Sequence, residues 1–217
     1  PFTHTGLVPM VGKFFIPPER LDSFYKIYTK SLKKNEYLSI TEMHVDIGPV
    51  LIDIDFRFNE SVGSERQYND HHIKQLIKIY QEQLNKYFSV PEDKLNAYVF
   101  QKPQPFRCQG NVKDGIHIIF PYIISKPDVQ YEIRDNVIQL LKDTQCLSSI
   151  GFKNPIEDVI DKAVIHRNPW LLYGSCKHNQ EVYYVLTDIY KTDLSKVDHP
   201  PLGSLIKLLS IRNCHEA

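Results

Sequence analysis

Between positions 52 and 58 the chain changes polarity at every residue. Val50, Ile52, Ile54, Phe56 and Phe58 are apolar, and from Asp53 onward the positions between them (Asp53, Asp55, Arg57) are charged. A period of two predicts a half-buried β-strand with its β-branched and aromatic residues on the core face. Elsewhere the period lengthens to three and four. After Pro17-Pro18, Leu21, Phe24, Tyr25, Tyr28 and Leu32 predict a first helix. Asn69-Asp70 supplies the N-cap of a second, with Ile73, Leu76, Ile77, Tyr80 and Leu84 on its buried face. A third starts near Pro127-Asp128 and turns Ile133, Val137, Leu140 and Leu141 inward. Further strands are predicted over residues 97–100, 115–121, 163–165, 170–173 and 182–190, a loop bearing Pro and Gln over 102–114, and a closing helix over 204–211.

This βαβ–βαβ order with extra strands predicts an α+β domain whose central sheet carries helices on one face, leaving the other free to hold a site. A length of 217 residues suits one domain, or two small lobes sharing a cleft. Basic and acidic residues balance at 26 each, so any polyanion contact has to come from a local patch. No apolar run reaches membrane-spanning length, and the amino end has no signal-peptide pattern. The chain opens on Pro1 without Met, which is expected of a piece of a longer protein. The four cysteines (Cys108, Cys146, Cys176, Cys214) form no Cys-x-x-Cys pair, which argues against structural zinc and for a reducing compartment. Cys176-Lys-His178 and Cys214-His215 read as ordinary thiols rather than ligands.

Three polar patches carry candidate chemistry. On the first strand, Asp53 and Asp55 project from one face about 6–7 Å apart at Cα. Two like charges side by side repel unless a cation lies between them, and two divalent ions about 3.5–4 Å apart would suit phosphoryl chemistry there. An exposed polar face with Arg57 neutralising Asp55 is the plainer alternative. In the second patch, Lys113-Asp-Gly-Ile-His117 leads into a strand in which Ile116, Ile118 and Phe120 share one face and His117 points to the other. A lysine, a glycine and a histidine donor at a strand entrance suit an anionic phosphate tail. The alternative is a hairpin turn at Asp114-Gly115 followed by an edge histidine. The third patch runs from Asp161 through Arg167 to Trp170, Tyr173, Gly174, Ser175 and Lys177. Its cations, hydroxyl and glycine again suit a triphosphate. Asp161, at the entry to the strand expected over 163–165, is preferred as a third acid over Glu157 and Asp158. Trp170 and Tyr173 read as core aromatics. Lys102, Arg107 and Lys113 make the loop over 102–114 a candidate for contact with a nucleic-acid strand or a triphosphate, with a solvated loop equally open.

In order, the three patches resemble the three motifs of the archaeo-eukaryotic primase superfamily: a strand-borne acid-x-acid, a small-x-His opening a strand, and a later hydrophobic-plus-acid with a trailing basic cluster. Thr3-His-Thr-Gly6, Gly12-Lys-Phe-Phe-Ile-Pro17, residues 39–58, residues 113–121 and residues 170–177 are similar to the primase portion of the giant-virus primase-helicases, whose primase precedes a D5-type helicase. The resemblance covers nearly the whole chain. It implies a mixed N-terminal lobe packed against a recognition-motif-like sheet with the active site between them. It implies that Asp53, Asp55 and Asp161 hold two Mg²⁺ or Mn²⁺ ions, that Lys113 and His117 contact the incoming nucleotide's phosphates, and that Arg167, Ser175 and Lys177 complete that pocket. The implied activity is template-directed nucleotidyl transfer that makes primers for DNA replication. Its partners would be single-stranded DNA template, NTP or dNTP, and a C-terminal helicase domain. The implied location is intracellular, at a viral replication site in the host cytoplasm. Many relatives place Ser where this chain has Gly115, and some place Arg where it reads Leu171. Two other classes remain open: a metal-dependent nuclease using the same acids, and a non-catalytic nucleic-acid-binding module, which would show exposed sheet aromatics and no metal dependence.

Overall fold

In the computed structural model, residues 2–8, 11–177 and 184–213 are described. In chain order the elements are β1 (His4–Gly6), β2 (Gly12–Phe14), α1 (Leu21–Lys33), β3 (Ile40–Glu42), β4 (Gly48–Phe58), α2 (Asp70–Tyr87), β5 (Ala97–Gln101) and β6 (Phe106–Cys108). There follow β7 (Asn111–Ser125), α3 (Pro127–Thr144), α4 (Ile156–Val159), α5 (Ala163–His166), β8 (Trp170–Leu171), β9 (Val185–Tyr190) and α6 (Leu202–Leu209). Two antiparallel sheets result. The smaller runs β2-β1-β3-β8; the larger runs β4-β7-β5-β9, with β6 added beside β7. The fold is α+β, a small mixed lobe against a larger helix-backed sheet.

The even residues of β4 build the main core. Val50, Ile52, Ile54, Phe56 and Phe58 join Ile116, Ile118 and Phe120 of β7 under α2 and α3. Asn69 caps α2, its side chain accepting from the N–H groups of His71 and His72 while His72 Nδ1 accepts from the Asn69 N–H. Ile73, Leu76, Ile77, Tyr80 and Leu84 are all buried beneath it. On α3 the inward residues are Ile133, Val137, Ile138 and Leu141; Leu140 is only half-buried and faces the outer groove shared with α2.

The opposite sheet face is not left free as the pattern predicted. At one end Leu51, Ile119, Tyr98 and Phe100 are roofed by Trp170, Val164 and the α6 residues Leu205 and Leu209. Ile206, on the other side of α6, packs with Tyr25 and Tyr28 of α1. The roof ends where the face turns polar, between Leu51 and Asp53 on β4 and between Ile119 and His117 on β7. The cleft opens there.

Three local expectations are corrected. Residues 163–165 are not a strand but the short helix α5, because Val164 and Ile165 are buried from a helical turn that the Asp161 carboxylate caps by accepting from the Ala163 N–H. Tertiary burial overrides their β propensity. The region over 102–114 is not a loop throughout: β6 and the first residues of β7 form a hairpin turning at Gln109–Gly110, so Asp114-Gly115 lies inside a strand and Lys113 projects from the sheet. Only Trp170 and Leu171 of residues 170–173 pair as a strand, against β3. The strand expected over 182–190 is β9 from Val185 on, its first residues lying outside those described.

A buried acid also sits away from the cleft. Glu42 is wholly buried and satisfied, accepting from Ser210 Oγ (2.5 Å) and the Ile211 N–H (3.0 Å), with His4 Nε2 at 3.6 Å. It ties the small sheet to the chain after α6.

Candidate active site

The register of β4 against β7 brings the first two patches together. Asp53 is the direct partner of His117, Asp55 of Gly115 and Arg57 of Lys113. Side chains alternate on both strands, so all of these share the face that holds the cleft. Gly115 is required by close approach: a Cβ there would lie 2.7 Å from the Ile54 carbonyl oxygen and 2.6 Å from the Tyr184 hydroxyl.

His117 Nε2 stands 3.3 Å from Asp53 Oδ1, an ion pair when the ring is protonated. The ring is not aligned to donate, and Oδ1 is buried with no hydrogen-bond donor among the described residues. Burial pushes the Asp53 carboxyl up, but His117, Lys102 and Lys177 together outweigh it and hold it below the usual carboxylate range. Asp55 goes the other way. Burial and the neighbouring Asp53 charge raise it, and Lys102 and His117 only partly compensate. Lys102 Nζ lies 3.8 Å from Asp55 Oδ1, with burial lowering its own pKa against the pull of both acids.

The third patch arrives over the outer edge of β4. Ile160 makes a lone antiparallel bridge to Ile54, and the Asp161 N–H donates to the Asp53 carbonyl (2.9 Å). Asp161 therefore reaches the cleft through that bridge and not through a strand over 163–165. Glu157 sits instead on α4, ion-paired with Lys142.

Asp53, Asp55, Asp161, Lys102, Phe106, Lys113, His117, Trp170, Lys177 and Tyr184 are among the residues lining one cleft. Two expected residues are not brought to it. Arg167 is exposed at the end of α5 while Asn168 and Pro169 take the cleft wall. Ser175 is 2% exposed, because the turn at Gly174 (φ +89°) sends it under α1. Its hydroxyl bonds Tyr28 Oη (2.7 Å) and accepts from the Ile40 N–H (2.9 Å). It is spent on joining α1 to β3.

Two cleft residues escaped the motif reading. Lys102 was expected, with Arg107 and Lys113, only as a cation of a loop that could contact template or triphosphate; its ammonium is held over the rings of Phe106 (4.7 Å) and Tyr184 (5.2 Å). Tyr184 stacks on His117 with centroids 3.4 Å apart and planes at 17°. Nothing in its neighbourhood in sequence distinguishes it from the core tyrosines. Trp170 is a core aromatic as expected, 5% exposed, yet its ring also lies 4.7 Å from His117.

Carboxylate oxygens suit a hard divalent ion such as Mg²⁺ or Mn²⁺. The buried, donorless Asp53 Oδ1 beside a second carboxylate is what a cation would satisfy. Among the described residues no three His, Cys, Asp or Glu side chains converge on one point, Asp161 Oδ1 being engaged by Ala163. The residues fit an ion of the kind that is bound through one or two carboxylates and keeps water and ligand oxygens for the rest of its shell.

Residues 3–190 match the family model described as the C962R protein N-terminal AEP domain, AEP standing for archaeo-eukaryotic primase. The chain belongs to this AEP family. Among its relatives is "Putative helicase L207/L206" of Acanthamoeba polyphaga mimivirus, 35% identical over 186 residues, covering 85% of this chain and 19% of that protein. Others are "Putative helicase 121R" of Invertebrate iridescent virus 3 (22% identical; 91% of this chain, 22% of that protein) and "Putative helicase 184R" of Invertebrate iridescent virus 6 (26%; 86% and 21%). The AEP domain thus spans about a fifth of the length of these relatives. Among its described residues no helix is long and apolar enough to cross a membrane.

Proposed function

We propose that this AEP domain is a template-directed nucleotidyl transferase that makes primers on single-stranded DNA from NTP or dNTP. The observation that carries this reading is the register in which Asp53 faces His117 and Asp55 faces Gly115, with Asp161 bridged to the same strand and Lys102, Lys113 and Lys177 around one cleft. Acids able to hold metal and cations able to hold a triphosphate line the same cleft.

Asp53 and Asp55 would hold Mg²⁺ or Mn²⁺, with the Asp161 charge close beside them; when bound, the ion supplies charge neutralisation at the reacting phosphate and lowers the pKa of the attacking 3′-hydroxyl. The chain's own groups do the rest. Lys113, Lys177 and Lys102 neutralise the phosphate tail, and the His117 imidazole presents a directional donor beside them. Trp170 and Val164 add apolar surface to the cleft wall. Positioning and charge account for most of such a reaction's rate, so no dedicated acid–base pair is needed. The lysines also separate this reading from a nuclease, which needs the acids but no triphosphate cradle. A sheet reader of RNA would place aromatics where Asp53 and Asp55 stand. The relatives are named as helicases, and the remaining four-fifths of their length leaves room for the helicase to which this domain would deliver primers.

The test is incubation with single-stranded template, labelled nucleotides and Mn²⁺ or Mg²⁺, with products resolved by length. Ladders that need template and nucleotide, and that vanish in Asp53→Ala and Asp55→Ala, support the reading. Shortened template without nucleotide would transfer the site to the nuclease class. Primers from the double Ala variant would end the assignment.

A further inference from the structure

Tyr184 touches both His117 and Lys102, the two donor groups closest to the acid pair. Its ring covers a face of the His117 imidazole, centroids 3.4 Å apart and planes 17° from parallel. Trp170 lies 4.7 Å from the same imidazole at 37°, so the histidine is in contact with two aromatic rings. The Lys102 ammonium sits 5.2 Å from the Tyr184 centroid and 4.7 Å from that of Phe106, with Asp55 Oδ1 at 3.8 Å. The Tyr184 hydroxyl fills the volume that a side chain at Gly115 would take.

We infer that Tyr184 is a positioning residue, its ring fixing the His117 edge and the Lys102 ammonium for the phosphate tail of the nucleotide. An imidazole covered on its face cannot tip over the cleft and offers only its nitrogen edge. A lysine on a four-carbon stem has many rotamers, and two ring faces beside a carboxylate leave it few. The aromatic face does this work, while the hydroxyl fills space beside Gly115. The inference rests on the proposed nucleotidyl transfer and names a residue that the three motifs do not contain.

The experiment compares Tyr184→Phe, which keeps the ring, with Tyr184→Met and Tyr184→Leu, which keep bulk without a face. Two quantities are read: the nucleotide KM in primer synthesis, and binding of inorganic tripolyphosphate through the fluorescence of Trp170, the chain's single tryptophan. Phe should stay within about threefold of wild type, whereas Met and Leu should raise the nucleotide KM about tenfold or more and leave the template KM within about twofold. Tripolyphosphate binding should weaken by the same factor as the nucleotide KM rises. On a His117→Asn/Lys102→Met background, Tyr184→Met should add less than about twofold, since the groups it positions are gone. Unchanged KM in folded Met and Leu variants, or a Phe variant as impaired as they are, would overturn the inference. If neither Met nor Leu folds, the Phe variant decides alone. The binding arm needs no turnover: a wild type that binds tripolyphosphate but makes no primers counts against the synthesis reading. Equal binding by wild type and Tyr184→Met, or none by wild type, counts against the clamp.

Discussion

Asp53 and His117 are direct partners across the β4–β7 ladder, with Nε2 of the ring 3.3 Å from an aspartate oxygen that has no hydrogen-bond donor among the described residues. They are 64 positions apart in the chain (117 − 53). The cations around Asp53 hold it ionised, while burial and the Asp53 charge bear on its neighbour Asp55, so the cleft is a place where stability is given up. The same electrostatics set the direction of several experiments.

Asp55 should be a net cost to the fold at neutral pH. Its pKa is raised in the folded state by burial and by Asp53, so the folded protein keeps this proton where the unfolded chain has lost it. Stability therefore falls as pH rises through the window between the ordinary carboxylate pKa of 3.8 and the raised value, and the penalty persists at pH 7. Asp55→Asn is expected to abolish primer synthesis while leaving the melting temperature equal to wild type or higher. A clear drop in melting temperature would count against the repulsion argued here.

Divalent ions should relieve the same strain. Mg²⁺ or Mn²⁺ is expected to raise the melting temperature of the wild type in a concentration-dependent way, by roughly RT ln(1 + [L]/Kd) expressed as free energy. The shift should disappear in Asp53→Ala/Asp55→Ala. Differential scanning fluorimetry with and without a chelator measures it.

Ser175 gives a prediction of the opposite kind. Its hydroxyl joins Tyr28 to the Ile40 backbone, both buried. Ser175→Ala should cost about 1–2 kcal/mol in urea unfolding, because two partners lose a hydrogen bond. The nucleotide KM should remain within about twofold. Arg167→Ala, exposed at the end of α5, should alter neither.

Arg66 holds a different part of the frame. Its guanidinium makes an ion pair with the wholly buried Asp114 (2.9 Å) and donates to the side chain of Gln101 (2.9 Å) and the carbonyl of Lys102. Arg66→Ala leaves a buried carboxylate unpaired and should destabilise by about 2–4 kcal/mol, discounted because Arg66 itself is 27% exposed. It should also loosen Lys102 and so raise the nucleotide KM in whatever protein remains folded.

Asp70, at the start of α2, supplies a pH test remote from the cleft. Lys74 and the Tyr190 hydroxyl, with Lys196 behind them, outweigh burial and lower its pKa to about 2. A depressed carboxylate stabilises fully above its unfolded pKa of 3.8, and that contribution is lost as pH falls toward 2. The group is 47% exposed, so Asp70→Asn should cost only about 0.5–1 kcal/mol at neutral pH. The difference from wild type should shrink as pH falls through 2 and vanish only below it in urea titrations.

The sequence by itself determined the elements whose residues bury a face locally. The alternation at 50–58, the Asn69 cap and the three-and-four spacing on α1, α2 and α3 are periodic, and period is all that a single strand or helix needs. It also marked Asp53, Asp55, Lys113, His117, Asp161 and Lys177, because charges and a glycine placed against a strand's pattern are visible without a structure. Tertiary structure decided the rest. Residues 163–165 carry β-branched side chains but turn as a helix, since burying Val164 and Ile165 beside the Asp161 cap outweighs their preference. Ser175 and Arg167 share a basic-looking stretch with Lys177, yet a left-handed turn at Gly174 buries the serine and the end of α5 faces the arginine outward. Tyr184 and Lys102 reach the cleft only because β7 pairs with both β4 and β5 while β9 lies on the far side of β5. Strand order and register arise from contacts between distant segments, and no local pattern encodes them.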